Sequence, residues 1–262
     1  MNYIVLDTET TNSLEEPLTY DIGWVVVNKG KDLNRSYVVK EIFESDELMS
    51  SAFYKDKIPA YKQDIKEGRR IVLPLMEIKR QLEKDCLYYE VEAIVAHNMR
   101  FDYNALQGTI RYLTKSKYRY FLPFGVELWD SLKMSREAFS ENADYIGWCT
   151  KNGFIIKGKP RFTAEVLYKY LKKNDDFIES HTGLEDAQIE KDIFFECLKK
   201  NVKNRVLFEK RFIEVFNGRT VYYVECRPQV IGGKYLKEED IPDGVYIVFS
   251  NGDFYKKELE IF

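Results

Sequence analysis

Histidine is almost missing from this sequence. Two copies, His97 and His181, occur in 262 residues. Few side chains can therefore change charge near neutral pH, and few compete for the role of general base. Cysteine is sparse as well. The four copies, Cys86, Cys149, Cys197 and Cys226, are scattered and form no CxxC pair. That argues against a structural zinc site and a disulfide framework, and it suits a reducing cytosol. No apolar run is long enough to span a bilayer. No signal-peptide pattern precedes the first apolar segment, so the expected location is cytoplasmic. Positive charge is not in excess: the net charge is −3. Nucleic-acid binding would need a local basic patch rather than an overall field. Repeats and low-complexity tracts are absent. What remains is 45% hydrophobic and 32% charged, an ordinary soluble composition for one large domain or one domain plus a small one.

Tyr3 to Thr11 is the stretch around which the rest is organised. Ile4, Val5 and Leu6 form an apolar run suited to a buried strand. Asp7 and Glu9 follow two residues apart, so on a strand they share a face. Two carboxylates held that close raise each other's pKa unless a cation lies between them. A hard divalent ion such as Mg²⁺ or Mn²⁺ resolves the conflict. The alternative is a strand running into a polar turn with both acids solvated.

Further along, Ile22–Val27 and Tyr37–Val39 read as strands that make an antiparallel meander with the first. Residues 43–68 are charged and weakly helical. Leu75, Ile78 and Leu82 have helical spacing after Pro74. Ala93–Ala96 is a short buried strand that leads through His97, Asn98 and Asp102 into a helix over Tyr103–Leu113. Val126–Trp129 is another strand, ended by Asp130 and Ser131, both good helix caps. Two helices follow, with Gly153 as a stop. Thr163–Leu171 is amphipathic, Lys172–Ser180 is a polar linker, and a long helix begins after His181. Its apolar face carries Ile189, Ile193, Phe194, Cys197 and Leu198. The order predicts an α/β fold with a mixed sheet flanked by helices. From residue 205 the pattern turns β-rich, with Asn251-Gly252 a hairpin signal. The expected division is 1–204 for the main domain and 205–262 for a small β-rich C-terminal appendage packed on it.

Three polar spots fall at element boundaries: Asp7 with Glu9, Asp102, and His181 with Asp186. Four converging carboxylates could hold two divalent ions roughly 4 Å apart, an arrangement that hydrolyses phosphodiesters. A histidine on an adjacent loop could take the proton of the attacking water.

These residues resemble a family. Asp7-Thr8-Glu9-Thr10-Thr11, His97-Asn98-Met99-Arg100-Phe101-Asp102 and His181-Thr182-Gly183-Leu184-Glu185-Asp186-Ala187 look like the three motifs of the DEDDh 3′→5′ exonucleases. That group includes the proofreading epsilon subunit of bacterial replicative polymerase, ribonuclease T and oligoribonuclease. The motifs stand in the family's order, and the spacing of His181 and Asp186 is that of the DEDDh subgroup. The resemblance covers roughly residues 1–200. It implies a ribonuclease H-like fold, two Mg²⁺ or Mn²⁺ ions, and stepwise release of nucleoside 5′-monophosphates from a single-stranded 3′ end, with DNA favoured. Carried over by position, Asp7, Glu9, Asp102 and Asp186 match the metal ligands and His181 the general base. Asn98 matches an asparagine near the substrate, and Thr10 a position whose backbone approaches the terminal nucleotide. Asn12, where members often have Gly, is one departure. The charged segment around 43–73 and the appendage are others. The resemblance also suggests DNA replication and proofreading, with a polymerase or replisome partner.

Several residues have plainer readings. His97 is expected to fix its turn by a backbone hydrogen bond, and Asp130 to cap a helix. Residues 103–126 lack acids and carry Arg111, Lys115, Lys117 and Arg119 among Tyr112, Tyr118 and Tyr120. Residues 145–164 are likewise basic, with Lys151, Lys157, Lys159 and Arg161. Lys115, Lys117 and Arg119 are candidates for phosphate contact, with the tyrosines stacking on bases. The alternative is a solvated surface with tyrosines in the core. Two rival functions stand beside DNA trimming: an exoribonuclease acting on RNA ends, and an inactive module that binds nucleic acid or a polymerase.

Overall fold

The computed structural model describes residues 2–11, 17–28, 30–115, 120–123 and 126–208, together with four strands beyond. Its centre is β1 (Asn2–Thr11), buried on both faces because the run Tyr3–Leu6 is apolar at every position. β2 (Leu18–Val27) and β3 (Leu33–Val39) pair antiparallel in turn, giving the expected meander. β4 (Ile71–Leu73), β5 (Val91–Ala96), β6 (Glu127–Asp130) and β9 (Val206–Phe208) complete a sheet of seven strands, in the order β4-β3-β2-β1-β5-β6-β9. β5 and β6 run parallel to β1, and β9 closes the edge antiparallel to β6. The result is the mixed, helix-flanked α/β sheet that the resemblance implies.

Alternation along β1 sorts the interior into two layers. Ile4 and Leu6 face a core shared with Ile22, Trp24, Ile94, Leu82 of α4 (Leu75–Tyr88) and Leu106 of α5 (Met99–Thr114). Tyr3 and Val5 face the other core. There they meet Trp129, Met134 of α6 (Ser131–Phe139), Tyr145 of α7 (Ala143–Lys151), Leu167 of α8 (Ala164–Lys172) and Phe194 of α9 (Gly183–Lys199). Asp7 and Glu9 continue the Tyr3–Val5 row, so strand geometry points both acids toward the α9 side.

The weakly helical segment resolves into short pieces: α1 (Lys40–Phe43), α2 (Asp46–Met49), a 3-10 turn (Lys55–Lys57) and α3 (Ile58–Lys66). Ser45 caps α2 by accepting from the Leu48 N–H. Buried Tyr61 packs the segment against Tyr20, with ring centroids 5.6 Å apart.

Sequence expectations differ from the structure mainly at ends. α5 starts at Met99 rather than Tyr103, because Asn98 adopts a left-handed backbone (φ 78°) and lets the helix begin directly after the turn. β2 begins at Leu18. Pro74 sits just before the first residue of α4. Gly153 ends its helix with φ 77°, as the stop requires. A small hairpin, β7 (Ile155–Ile156) with β8 (Lys159–Pro160), carries the exposed Lys157 and Lys159. Beyond β9, the strands β10 (Phe212–Val215) and β11 (Arg219–Tyr222) pair antiparallel, as do β12 (Val245–Val248) and β13 (Phe254–Lys257). The last pair flanks Asn251-Gly252. Among the described residues, Cys86, Cys149 and Cys197 are free and buried. No described helix is long and apolar enough to cross a membrane.

Candidate active site

The N-terminus of α9 lies directly on the sheet. A Cβ on Gly23 would come within 2.0 Å of the Leu184 nitrogen, and one on Gly183 within 2.7 Å of the Gly23 nitrogen and 3.1 Å of the Asp7 carbonyl oxygen. Only two glycines let the backbones meet this closely. That contact carries Asp186, in the first turn of α9, up to the carboxyl face of β1.

Buried charge fixes the approach. Asp21 of β2 is fully buried and accepts from the Gly183 N–H at 2.9 Å and from Tyr61 Oη at 2.5 Å. Arg70 is 4% exposed. Its Nη1 lies 3.3 Å from the same Asp21 oxygen, its Nη2 donates to Glu185 at 2.9 Å, and its Nε donates to Asp64 at 3.0 Å. The guanidinium also lies 4.7 Å from the Tyr61 ring centroid. One cation thus joins the 40–70 segment, β2 and α9.

Around that contact the acids converge. One ligand atom each from Glu9, His181 and Asp186 lies within 4.8 Å of the other two, a group able to hold a metal ion. Asp102, at the start of α5, accepts from Thr8 Oγ1 at 2.9 Å. Asp186 accepts from Ser180 Oγ and from the Thr182 N–H, both at 3.1 Å. Burial pushes the Asp102 and Asp186 carboxyls up to about 7, against the lowering effect of those hydrogen bonds. Asp7 and Glu9 are also driven well above the carboxylate range. For Asp7 the causes are burial and then Glu190, Asp102, Glu9 and Asp186. For Glu9 they are burial, Asp186 and Asp21, opposed by Lys57. Carboxyls raised together in this way are relieved when a cation lies between them, and this cluster could hold a metal ion. A donor set of carboxylate oxygens with one imidazole nitrogen nearby is compatible with Mg²⁺ or Mn²⁺.

His181 has a left-handed backbone, with φ 53°. Its ring stacks on Tyr54, centroids 4.2 Å apart and planes 9° from parallel. Burial and the Lys57 charge lower its pKa from 6.5, which favours the neutral imidazole. Lys57 Nζ donates to the Ser180 carbonyl.

The other expected positions lie outside this tight group. Thr10 follows a register shift between Glu9 and Thr10 and is half-buried. Asn98 immediately precedes α5, four residues before Asp102. Lys115 immediately follows α5, thirteen residues past Asp102 and so about 20 Å along the helix axis. Its Nζ lies 4.4 Å from the Tyr112 ring centroid. Lys117, Tyr118, Arg119 and Asn12 fall outside the described residues. Tyr120 is buried at 5% exposure, so it belongs to the core rather than to a stacking surface.

The plainer reading of Asp130 holds, and that of His97 holds in part: its ring makes a backbone hydrogen bond, but not within its own turn. His97 Nε2 lies 2.6 Å from the Phe162 carbonyl and Nδ1 3.0 Å from Ser131 Oγ. A carbonyl only accepts, so Nε2 carries the proton. The bond reaches across to the segment before α8 rather than closing the local turn. Asp130 Oδ1 accepts from the Leu132 and Lys133 N–H groups and caps α6.

Sequence reasoning missed four neighbours of the site. Glu190 is 4% exposed and accepts from the His97 N–H at 2.9 Å, while burial and Asp102 hold its carboxyl well above the usual range. Its place four residues after Asp186 put it on the same helical face, a signal available from spacing alone. Glu179 is pushed up to about 8 by burial, Asp186 and Glu165. Tyr54 and Lys57 come from the 3-10 turn region, where no periodicity marks them.

The fold and site together define a class: an α/β protein with a buried carboxylate cluster, able to hold a metal ion, at the end of its central strand. No protein-family model matches the sequence, and no curated protein does. Among solved structures, one similar chain is that of "Exonuclease X in complex with 5' overhanging duplex DNA". The TM-score is 0.45 at 17% identity, over 77% of this chain and 95% of that one. A likeness this loose leaves the functional reading to the geometry of the site.

Proposed function

We propose that the chain is a metal-dependent 3′→5′ exonuclease that shortens single-stranded nucleic acid and releases nucleoside 5′-monophosphates. The observation that carries this reading is the convergence of Glu9, His181 and Asp186 within 4.8 Å, inside a field shared with Asp7 and Asp102. Asp7, Glu9, Asp102 and Asp186 would hold two divalent ions. When bound, those ions activate water and offset charge on the leaving oxygen. Thr8 fixes Asp102, while Ser180 and the Thr182 N–H fix Asp186, so both carboxylates are aimed before any ion arrives. His181, held neutral, accepts the proton of the attacking water. Asn98 and Thr10 would border a chain end bound there. Lys115, Lys117, Arg119 and the exposed Lys157 and Lys159 are candidate phosphate contacts. The main domain, expected over residues 1–204, would also take in β9 at its sheet edge, and the rest of residues 205–262 would form an appendage available to a polymerase or other replisome partner.

A gel assay with matched DNA and RNA oligonucleotides tests this. One set is labelled at the 5′ end and the other at the 3′ end, with Mg²⁺, Mn²⁺ or a chelator. The expected result is a metal-dependent ladder shrinking from the 3′ end, and the faster substrate decides DNA against RNA. Binding without cleavage in either metal would replace this reading with the non-catalytic module.

A further inference from the structure

A general base must present one nitrogen at one place, yet an imidazole on a half-buried loop has two torsions to be fixed. The neighbouring acid of the loop does not hold the His181 ring. Glu179 Oε2 is 3.8 Å from Nδ1, beyond hydrogen-bond reach. The restraint comes from elsewhere in the chain. Tyr54 lies flat on the imidazole at 4.2 Å and 9°. Lys57, three residues on, ties the backbone of the same loop at the Ser180 carbonyl. Its Nζ is also 5.3 Å from the Tyr54 ring centroid.

The two sides of the stack share an anchor. Tyr61, seven residues past Tyr54, donates to Asp21 at 2.5 Å, and Gly183, two residues past His181, donates to the same carboxylate oxygen at 2.9 Å. Asp21 is fully buried, so this anchor does not depend on surface side chains. The Asp21 bridge and the Lys57–Ser180 bond together link the segment carrying Tyr54 to the loop carrying His181.

We propose that Tyr54 is a positioning residue for His181, its ring holding the imidazole in one orientation beside Glu9 and Asp186. On this reading the 40–66 segment, larger than the resemblance leads one to expect, carries the side chain that orients the base. The proposal rests on the assignment of His181 as that base.

The chain's two histidines make the contact directly readable. Proton NMR of the metal-free full chain should give two imidazole Cε1–H signals, with His181→Gln identifying its own by disappearance. Ring current from a stacked tyrosine should place the His181 signal upfield. Tyr54→Phe should keep that position and near-normal turnover. Tyr54→Ala should move the signal downfield and lower kcat roughly tenfold to a hundredfold, with KM little changed. Circular dichroism would verify that both variants fold. An unmoved signal in Tyr54→Ala, unchanged kcat despite a moved signal, or equal damage from Tyr54→Phe would each overturn the proposal. Failure of the general-base assignment is separately visible: His181→Ala would turn over normally while the wild-type signal stayed upfield.

Discussion

Without divalent metal, this protein should lose stability as pH rises. The cause is the carboxylate cluster, and Asp102 allows the size to be worked out. Its carboxyl moves from an ordinary 3.8 to about 7 in the folded chain, mainly through burial. Between those values the folded chain holds a proton that the unfolded chain has released. Stability then falls with increasing pH until the folded value is passed, and stays low above it. From pH 5.5 to pH 8 the fall spans the stretch up to about 7, or about 2 kcal/mol for one carboxyl. Asp186 moves to the same value and Asp7, Glu9 and Glu190 move in the same direction. Interacting groups titrate together, so their effects do not add simply. About 2 kcal/mol corresponds to a melting temperature lower by roughly 4–8 °C for a chain of this size. His97 and His181 act in the opposite sense, because both lie below 6.5 and destabilise the fold as pH drops under that value. Their contribution cancels when the wild type is compared with Asp102→Asn. Thermal melts in chelator at pH 5.5 and pH 8 would measure the effect, repeated with millimolar Mg²⁺. Mg²⁺ should raise the pH 8 melt and do much less at pH 5.5, where protons compete for the same oxygens. Asp102→Asn should flatten the pH dependence and reduce the Mg²⁺ gain. A metal-free wild type no less stable at pH 8 than Asp102→Asn, or one indifferent to Mg²⁺ at pH 8, would refute the reasoning.

Other outcomes follow from the same geometry. His181→Ala should lower exonuclease turnover at least about a hundredfold with an unchanged circular dichroism spectrum; near-normal turnover would remove it as the base. Asp7→Asn should abolish activity and weaken Mn²⁺ binding by calorimetry, since it takes one charge from the centre of the cluster. Gly183→Ala should cost about 2–3 kcal/mol in urea unfolding, because its Cβ would meet the Gly23 nitrogen at 2.7 Å. Arg70→Met should cost about 3–5 kcal/mol, as it leaves Asp21 buried with no counter-ion; a loss under 1 kcal/mol would show that the network is dispensable.

The central sheet was legible because its signals are local. The apolar run of Tyr3–Leu6 and the two-residue spacing of Asp7 and Glu9 follow from strand periodicity alone. Asp130 was readable as a cap because capping needs only the residue and the helix after it. The 40–70 segment was legible only as weakly helical, because α1, α2 and α3 are too short to show a period and are held by tertiary contacts such as Tyr61 on Tyr20 and Asp21. Tyr54 and Lys57 were hidden for the same reason: their partners are His181 and Ser180, more than a hundred residues away in sequence. Glu190 could have been found from its spacing to Asp186. The sequence pattern gave Gly183 a loop role, and the structure adds the reason for it, a backbone-to-backbone approach at Gly23.

That approach explains how the fold tolerates so much like charge. Bringing Asp186 and Glu190 up to Asp7, Glu9 and Asp102 is unfavourable in itself, as the raised carboxyls record. The opposing work is done away from the acids, by the Gly23–Gly183 contact, by Asp21 bridging Tyr61 and the Gly183 N–H, and by Arg70 joining β2 to Glu185. None of these groups needs to touch a substrate. Strain at a site can persist only when its surroundings over-determine the geometry, and here the over-determination is concentrated in the first turn of α9. Loosening Gly23–Gly183 or Arg70 should therefore release the acids from one another and weaken divalent binding, even with every carboxylate still present.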